Sequence, residues 1–231
     1  MSSLYKKRWT CSAFEKQNYS MIMKYVVSFF KAPIWNKQPL KSVSMFWVWL
    51  YVTMKWLQLG PDPDRDISLA SKTEQLRRLI GEDAQRQYKG RNFDYVTPAG
   101  TYTYCDDKSV VAYSDALCLD FDHLDDDSDA MKLRIAPEAL KALLLTDPYW
   151  GEQILLMFTS PRGHGLKVFL PIDLTKCDYK TWFNALRSYF MATYGFGDKQ
   201  VDPSVSNESH ACFISYDPLA YLRADLYEFY I

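Results

Sequence analysis

The sequence predicts an α+β fold in which a mixed or antiparallel sheet carries helices on one face. Three observations lead there. Strand-length apolar runs alternate irregularly with helical stretches, unlike the regular order of a doubly wound parallel sheet. Residues 95–113 repeat with a period of two and are interrupted by polar and Gly/Pro turns, the pattern of short hairpin-linked strands. Finally, 48% hydrophobic and 16% aromatic content in 231 residues is ample for one large domain, or a core with an appendage.

Taken in order, residues 20–31 hold a β-branched, aromatic run that reads as a buried strand or short helix, and Pro33 and Pro39 bracket a loop. Ser42 is placed to cap a helix through Leu59, closed by Gly60-Pro61, and Pro61-Asp62-Pro63-Asp64 is a linker signal. A second helix fits Ser71 to Gln87, with Leu76, Leu79 and Ile80 on one face. Arg77, Arg78, Arg86 and Lys89 then form a solvated face, with a phosphate-facing role as the minority reading. Tyr95–Thr97, Thr101–Tyr104 and Ser109–Tyr113 read as a meander, and a strand ending at Asp120 and Asp122 follows. Pro137 opens a helix over Glu138–Leu145 that stops before Asp147-Pro148. Ile154–Thr159 and Leu166–Ile172 are strands joined by a glycine-containing turn. Tyr179–Tyr194 is a long amphipathic helix ending at Gly195, and Ala211–Tyr216 is the last clear strand.

The net charge of −1 conceals an asymmetry. Residues 1–60 hold nine Lys/Arg against the single acid Glu15, while the remainder holds 18 basic and 27 acidic residues. A basic, aromatic-rich leading segment suits a polyanionic partner. The five cysteines, at 11, 105, 118, 177 and 212, are odd in number, scattered and without a CxxC pair. That argues against a disulfide framework or a structural zinc site and suits a reducing cytosol. The apolar run Met45–Met54 is shorter than the roughly 20 residues a bilayer requires, and no apolar segment of signal-peptide type follows Tyr5-Lys6-Lys7-Arg8. A soluble, cytoplasmic protein without a membrane partner is expected.

Three constellations carry chemistry. Leu117-Cys-Leu-Asp-Phe-Asp122 places Asp120 and Asp122 two apart at the end of an apolar strand, so both carboxylates face one way and reach one divalent cation or a pair. Leu119 and Phe121 take the opposite face. A strand running out into the acidic loop at Asp125, Asp126, Asp127 and Asp129 is the alternative. Ser160-Pro-Arg-Gly-His-Gly-Leu-Lys167 joins two strands; Gly163 and Gly165 admit close backbone approach, and Ser160, Arg162, His164 and Lys167 are donors suited to phosphate oxygens. It lacks the order of a Walker A loop, and a water-facing hairpin is its alternative. Third, Asp202 sits in a polar loop and His210 at the mouth of the last strand. Asp202 is a turn former or a third metal carboxylate.

This order of motifs resembles archaeo-eukaryotic primases and primase-polymerases. It is more closely similar to the primase-like domain called VirE N-terminal or BT4734-like, found in proteins of mobile elements. The stretches that carry the likeness are Val26–Pro33, Tyr88–Gly100, Leu117–Leu124, Ser160–Ile172 and Asp202–Pro218, so it spans about residues 23–225. The resemblance implies a primase-polymerase sheet with an RRM-like catalytic core, packed helices and an N-terminal α/β extension. It divides the chain into a leader of residues 1–22, disordered or misannotated, and a domain of residues 23–231. Within that domain, residues 23–90 form the helical N-terminal portion and 91–231 the catalytic sheet portion.

The implied function is two-metal nucleotidyl transfer in DNA replication. Asp120, Asp122 and Asp202 would hold Mg²⁺ or Mn²⁺. Ser160, Arg162, Gly163, His164, Gly165 and Lys167 would bind the phosphates of a nucleoside triphosphate, assisted by His210. A single-stranded or primed DNA template would lie along the sheet and the basic leading segment, with a helicase as further partner. The closer family tends to carry Arg where His210 stands, and His is shorter and titrates near neutrality. The alternatives are an inactive nucleic-acid- or partner-binding module and a metal-dependent nuclease. If the three acids only repel one another, Asp120→Asn should leave the melting temperature unchanged or raised.

Overall fold

The computed structural model describes residues 25–54, 68–125 and 133–227. Two four-stranded sheets carry the fold. The first has the order Lys41–Val43 (β2), Val27–Phe30 (β1), Tyr95–Thr97 (β3), Cys212–Phe213 (β9). The second runs Tyr221–Leu222 (β10), Leu156–Thr159 (β7), Leu166–Pro171 (β8), Ala116–Phe121 (β6). Gly100–Tyr102 (β4) and Val110–Tyr113 (β5) form a separate hairpin, and every strand pairing is antiparallel. The described α-helices are Met45–Thr53 (α1), Leu69–Arg78 (α2), Glu82–Asn92 (α3), Pro137–Leu145 (α4) and Tyr179–Tyr194 (α5). The α+β class read from the sequence is the class of the structure.

The layering differs from the expectation of helices on one face. Leu117, Leu119 and Phe121 of β6 point into a core with Leu140 and Leu144 of α4 and Phe183, Leu186 and Phe190 of α5. On the other face, Cys118, Phe158 and Phe169 pack against Phe29, Cys212 and residues of α1 and α2. All six residues of β6 are therefore buried. The cause is legible in Ala116-Leu-Cys-Leu119, which has no polar residue to show to water, as in strands covered on both sides. β7 is likewise buried along its whole length.

Local chemistry places the helix ends. Asp178 accepts from Thr181 N at 2.8 Å at the start of α5, and Gly195, at φ 74°, terminates it where the sequence predicted. The α1 cap is Ser44, whose Oγ accepts from Trp47 N, and not Ser42, which sits in β2 opposite Ser28. α1 ends at Thr53, with Met54 already extended, short of the expected Leu59; the Pro61–Asp64 linker and the leader 1–22 lie outside the described residues.

The single helix expected over Ser71–Gln87 is two. Ser68 caps α2, and the chain leaves the helical path at Leu79 and turns at Gly81 with φ 91°, which favours glycine. Ile80, placed on the buried face by period, is 94% exposed at this break. The meander is also corrected: β3 joins the first sheet beside β1, while β4 and β5 pair only with each other. The last strand shrinks to Cys212–Phe213, and β10 has no sequence forecast. Among the described residues, no helix is long and apolar enough to cross a membrane.

Candidate functional site

Four backbone segments meet side by side at one end of the second sheet. Lys167 of β8 stands directly opposite Asp120 of β6, and the register continues to Phe121 and Leu166. On the far edge of β6, Asp202 N donates to the Asp120 carbonyl at 2.9 Å and Asp122 N to the Gln200 carbonyl at 3.0 Å. The Ser160–Gly165 turn closes β7 onto β8, with Ser160 N donating to Gly165 O at 2.8 Å and Gly163 N to Ser160 O at 2.9 Å. The predicted hairpin therefore forms, and its backbone and those of Asp120, Asp122 and Asp202 are brought together.

Side chains give each residue a more specific place. Asp120 and Lys167 form an ion pair, both 7% exposed. The Lys167 ammonium, which the resemblance assigns to phosphate, is engaged by Asp120. Burial alone would lower the Lys167 pKa, but the Asp120 carboxylate outweighs it and raises the ammonium above its ordinary range. Asp122 follows the strand end, and its carboxyl is pushed up by burial and then by the Asp120 charge. Asp202 spends both oxygens on Ser204, accepting from its N at 2.8 Å and its Oγ at 2.9 Å. His164 is exposed and pairs through Nδ1 with Asp125 at 2.5 Å. His210 faces the charges of Lys167, Asp120, Asp202 and Lys89. Its pKa falls to about 4, first through burial and then through Lys167, so the ring is neutral at pH 7.

Two cavities share Asp122 and His123 as a common wall. One, of about 540 Å³, is lined also by Glu82, Gln85, Asp125, Arg162 and His164. The other, of about 240 Å³, is lined by Lys199, Asp202 and Pro203. Among the described residues, three buried side-chain polar atoms have no hydrogen-bond partner: Asp120 Oδ1, Ser160 Oγ and Arg162 Nε. All three belong to this site. An unsatisfied buried polar atom costs about 1–3 kcal/mol, so their concentration here singles this region out as the candidate site.

A hard divalent cation suits the donor chemistry, because every candidate ligand is a carboxylate oxygen and Asp120 Oδ1 is free to accept. Yet no group of three or more His, Cys, Asp or Glu side chains among the described residues is arranged as a ready ligand set. Lys167 and Ser204 hold the remaining oxygens of Asp120 and Asp202.

Glycine is required at Gly165. A Cβ there would meet the Phe121 carbonyl, Asp122 Oδ1 at 2.7 Å and Ser160 Oγ at 2.9 Å. Gly165→Ala should therefore displace Asp122 or the turn, with a stability loss of about 1–3 kcal/mol from overpacking. Urea denaturation against wild type checks this. An unchanged midpoint would mean the turn relaxes freely.

The sequence pattern gave Arg77 and Lys89 a phosphate-facing role only as the minority reading and did not single out His123. Arg77 holds the turn from below, donating through Nε to Pro161 O at 3.3 Å. His123 adopts φ 55° at the wall between the cavities. Lys89 faces Lys167, Arg162, Asp120 and Asp122. Helical period assigned Arg77 and Lys89 to a solvated face; the one available signal was that Lys89 lies in the Tyr88–Gly100 stretch already singled out.

Comparison with known proteins gives one finding. A family model described as BT4734-like, N-terminal domain, matches residues 88–222. No curated protein and no solved structure matches the chain.

Proposed function

This chain belongs to the BT4734-like, N-terminal domain family, and from that premise we propose that its site binds a nucleoside triphosphate and transfers the nucleotidyl group to a nucleic-acid end, as a primase-polymerase does. The observation that supports this best is the set of unpartnered buried atoms. Ser160 Oγ and Arg162 Nε, in the turn that closes β7 onto β8, are donors for phosphate oxygens, and Asp120 Oδ1 on the neighbouring strand β6 is an acceptor for a cation. Donors and a carboxylate left unsatisfied in one place suit a metal–triphosphate better than either ligand alone.

Asp120, Asp122 and Asp202 would hold Mg²⁺ or Mn²⁺, with substrate phosphate and water completing the coordination, as Mg²⁺ commonly requires. When bound, such ions make the attacking hydroxyl more acidic and offset charge on the transferring phosphoryl group. In the reaction, a 3′-hydroxyl oxygen bonds to the α-phosphorus, the bond from that phosphorus to the pyrophosphate oxygen breaks, and the hydroxyl proton leaves to solvent. Arg162 and Ser160 orient the phosphates. Lys167 acts through Asp120, holding its carboxylate in place. His210, neutral at pH 7, supplies a hydrogen bond and no charge.

A second reading, a binding module without catalysis, draws on two observations. Lys167 occupies an oxygen of Asp120, and His210 beside it is neutral at pH 7. Extension of a labelled primed DNA by the full chain with Mn²⁺ and nucleoside triphosphates tests the proposal. Wild type should extend the primer, and Asp202→Asn should lose at least about 10²-fold in rate. Triphosphate binding without extension would sink catalysis and leave the binding module. Shortening of the primer would point to a nuclease.

A further inference from the structure

We propose that an aromatic cavity at the far end of the second sheet binds the arginine or lysine side chains of a basic segment from a protein partner. This surface is separate from the nucleotidyl-transfer site and stands or falls without it.

The cavity, of about 870 Å³, is lined by Pro171 at the end of β8 and by Asp115 just before β6. Along β6, Ala116 faces Pro171 while Asp120 faces Lys167 four residues on, roughly 14 Å of strand away. Tyr113, Tyr149, Trp150 and Trp182 wall it. Tyr149 is 74% and Tyr113 48% exposed, a large aromatic surface to leave in water. The rings are held in place. Asp147 accepts from the backbone N of Tyr149 at 2.9 Å and of Trp150 at 2.8 Å, and Trp182 Nε1 donates to Asp173 O at 2.8 Å.

Charge decides what fits. Among the described residues that line the cavity are two carboxylates, Asp115 and Asp173, and no Lys or Arg. Glu208 adds an acid at the rim, accepting from the Tyr113 hydroxyl at 2.9 Å. The cations beside the cavity are already paired: Lys176 lies 3.4 Å from Asp173, and Arg223 donates to Asp225 at 2.6 and 2.9 Å. Thr175 also donates to Asp173, through N at 3.0 Å and Oγ1 at 2.5 Å. Asp115 is thus the carboxylate left open to a ligand. Its backbone is pinned at φ 54°, with Ile172 N donating to its carbonyl at 2.9 Å. A nucleic-acid strand could stack on the rings but would meet acids where its phosphates need cations. A guanidinium or ammonium finds both things it needs, ring faces that attract a cation and a carboxylate that neutralises it. The volume exceeds what one side chain fills, so the occupant is a peptide segment and not a small ion.

Fluorescence anisotropy of a labelled, capped peptide of alternating arginine and glycine, titrated with the full chain, tests this. The same peptide with citrulline for arginine keeps the shape and removes the charge. Wild type should bind the arginine peptide at least about tenfold more tightly than the citrulline one. Asp115→Asn, which tolerates the same backbone conformation, should weaken binding about threefold, the scale of one exposed ion pair. Tyr149→Leu, which keeps an apolar side chain but loses the ring, should cost about as much, and Tyr149→Phe should bind like wild type. Asp83→Asn, which removes an exposed acid elsewhere, is the control and should have no effect. Equal weakening by Asp83→Asn would mean diffuse attraction to an acidic surface and overturn the proposal. So would wild-type affinity in both Asp115→Asn and Tyr149→Leu, or no peptide binding by wild type. Tetramethylammonium that displaces the peptide at matching concentration would assign the cavity to small cations, and a single-stranded oligonucleotide whose binding is lost in Tyr149→Leu would assign it to nucleobases. Either result would also sink the partner-segment reading.

Discussion

Asp120→Asn should destabilise the protein by about 3 kcal/mol, the lower end of the range for breaking a buried ion pair. The acid and Lys167 face each other across β6 and β8, both 7% exposed. Asparagine still accepts a hydrogen bond but leaves the ammonium without a neutralising charge. Release of the repulsion that helps raise the Asp122 pKa offsets part of the loss. The sequence alone argued the opposite sign, a neutral or stabilising change, because only the acids were visible as neighbours. The check is urea denaturation of Asp120→Asn, of Lys167→Met and of the double variant. The double variant should recover most of the loss, since an apolar and a neutral side chain can replace a buried pair at little cost. A midpoint for Asp120→Asn at or above wild type would mean that the pair does not form in solution.

Asp217→Ala is expected to be at least as damaging, at about 3–5 kcal/mol. The Asp217 carboxylate, 4% exposed, accepts from Lys141 Nζ at 2.5 Å, Thr159 N at 2.7 Å and Leu219 N at 2.9 Å. One side chain therefore ties α4, the end of β7 and the approach to β10. Alanine leaves a buried ammonium and a buried amide unpaired next to Ser160. For a chain of this size the loss corresponds to a melting temperature lower by roughly 10 °C.

This pair also sets a pH dependence. Burial alone would raise the Asp217 pKa, but the hydrogen bond and charge of Lys141 outweigh it, so the folded value lies below the ordinary one. A depressed carboxyl contributes stability that is complete above its unfolded pKa, near about 3.9, and lost as pH falls through the folded value. The stability gap between wild type and Asp217→Ala should stay constant from pH 7 to about 5 and narrow below about pH 4. A gap that does not narrow in acid would show that the carboxylate is not held by Lys141.

Much of the local structure was legible because its causes are local. Asp178, the amphipathic period and Gly195 specify α5 within one stretch of chain. The hairpin between β7 and β8 follows from two apolar runs about a glycine-containing turn. Errors arose where two local signals compete. Ser42 and Ser44 are equivalent caps on paper, and pairing with β1 takes the first into a strand. Leu79 and Ile80 fit a helical stripe, but Gly81 breaks it.

The sequence by itself determined the α+β class, the family's motifs and the residue types at the site, since these depend on pattern and spacing along the chain. Only the tertiary structure decided which charges meet. Antiparallel register sets Asp120 against Lys167, a bridge at Val201 brings Asp202 to the edge of β6, and the break at Gly81 separates Lys89 from the helix whose period had placed it in water. Burial then sets the energetics of those meetings. A charge that water would screen becomes, a few ångströms inside, either a strong pair or an unmet demand for a ligand, and no spacing along the chain distinguishes the two.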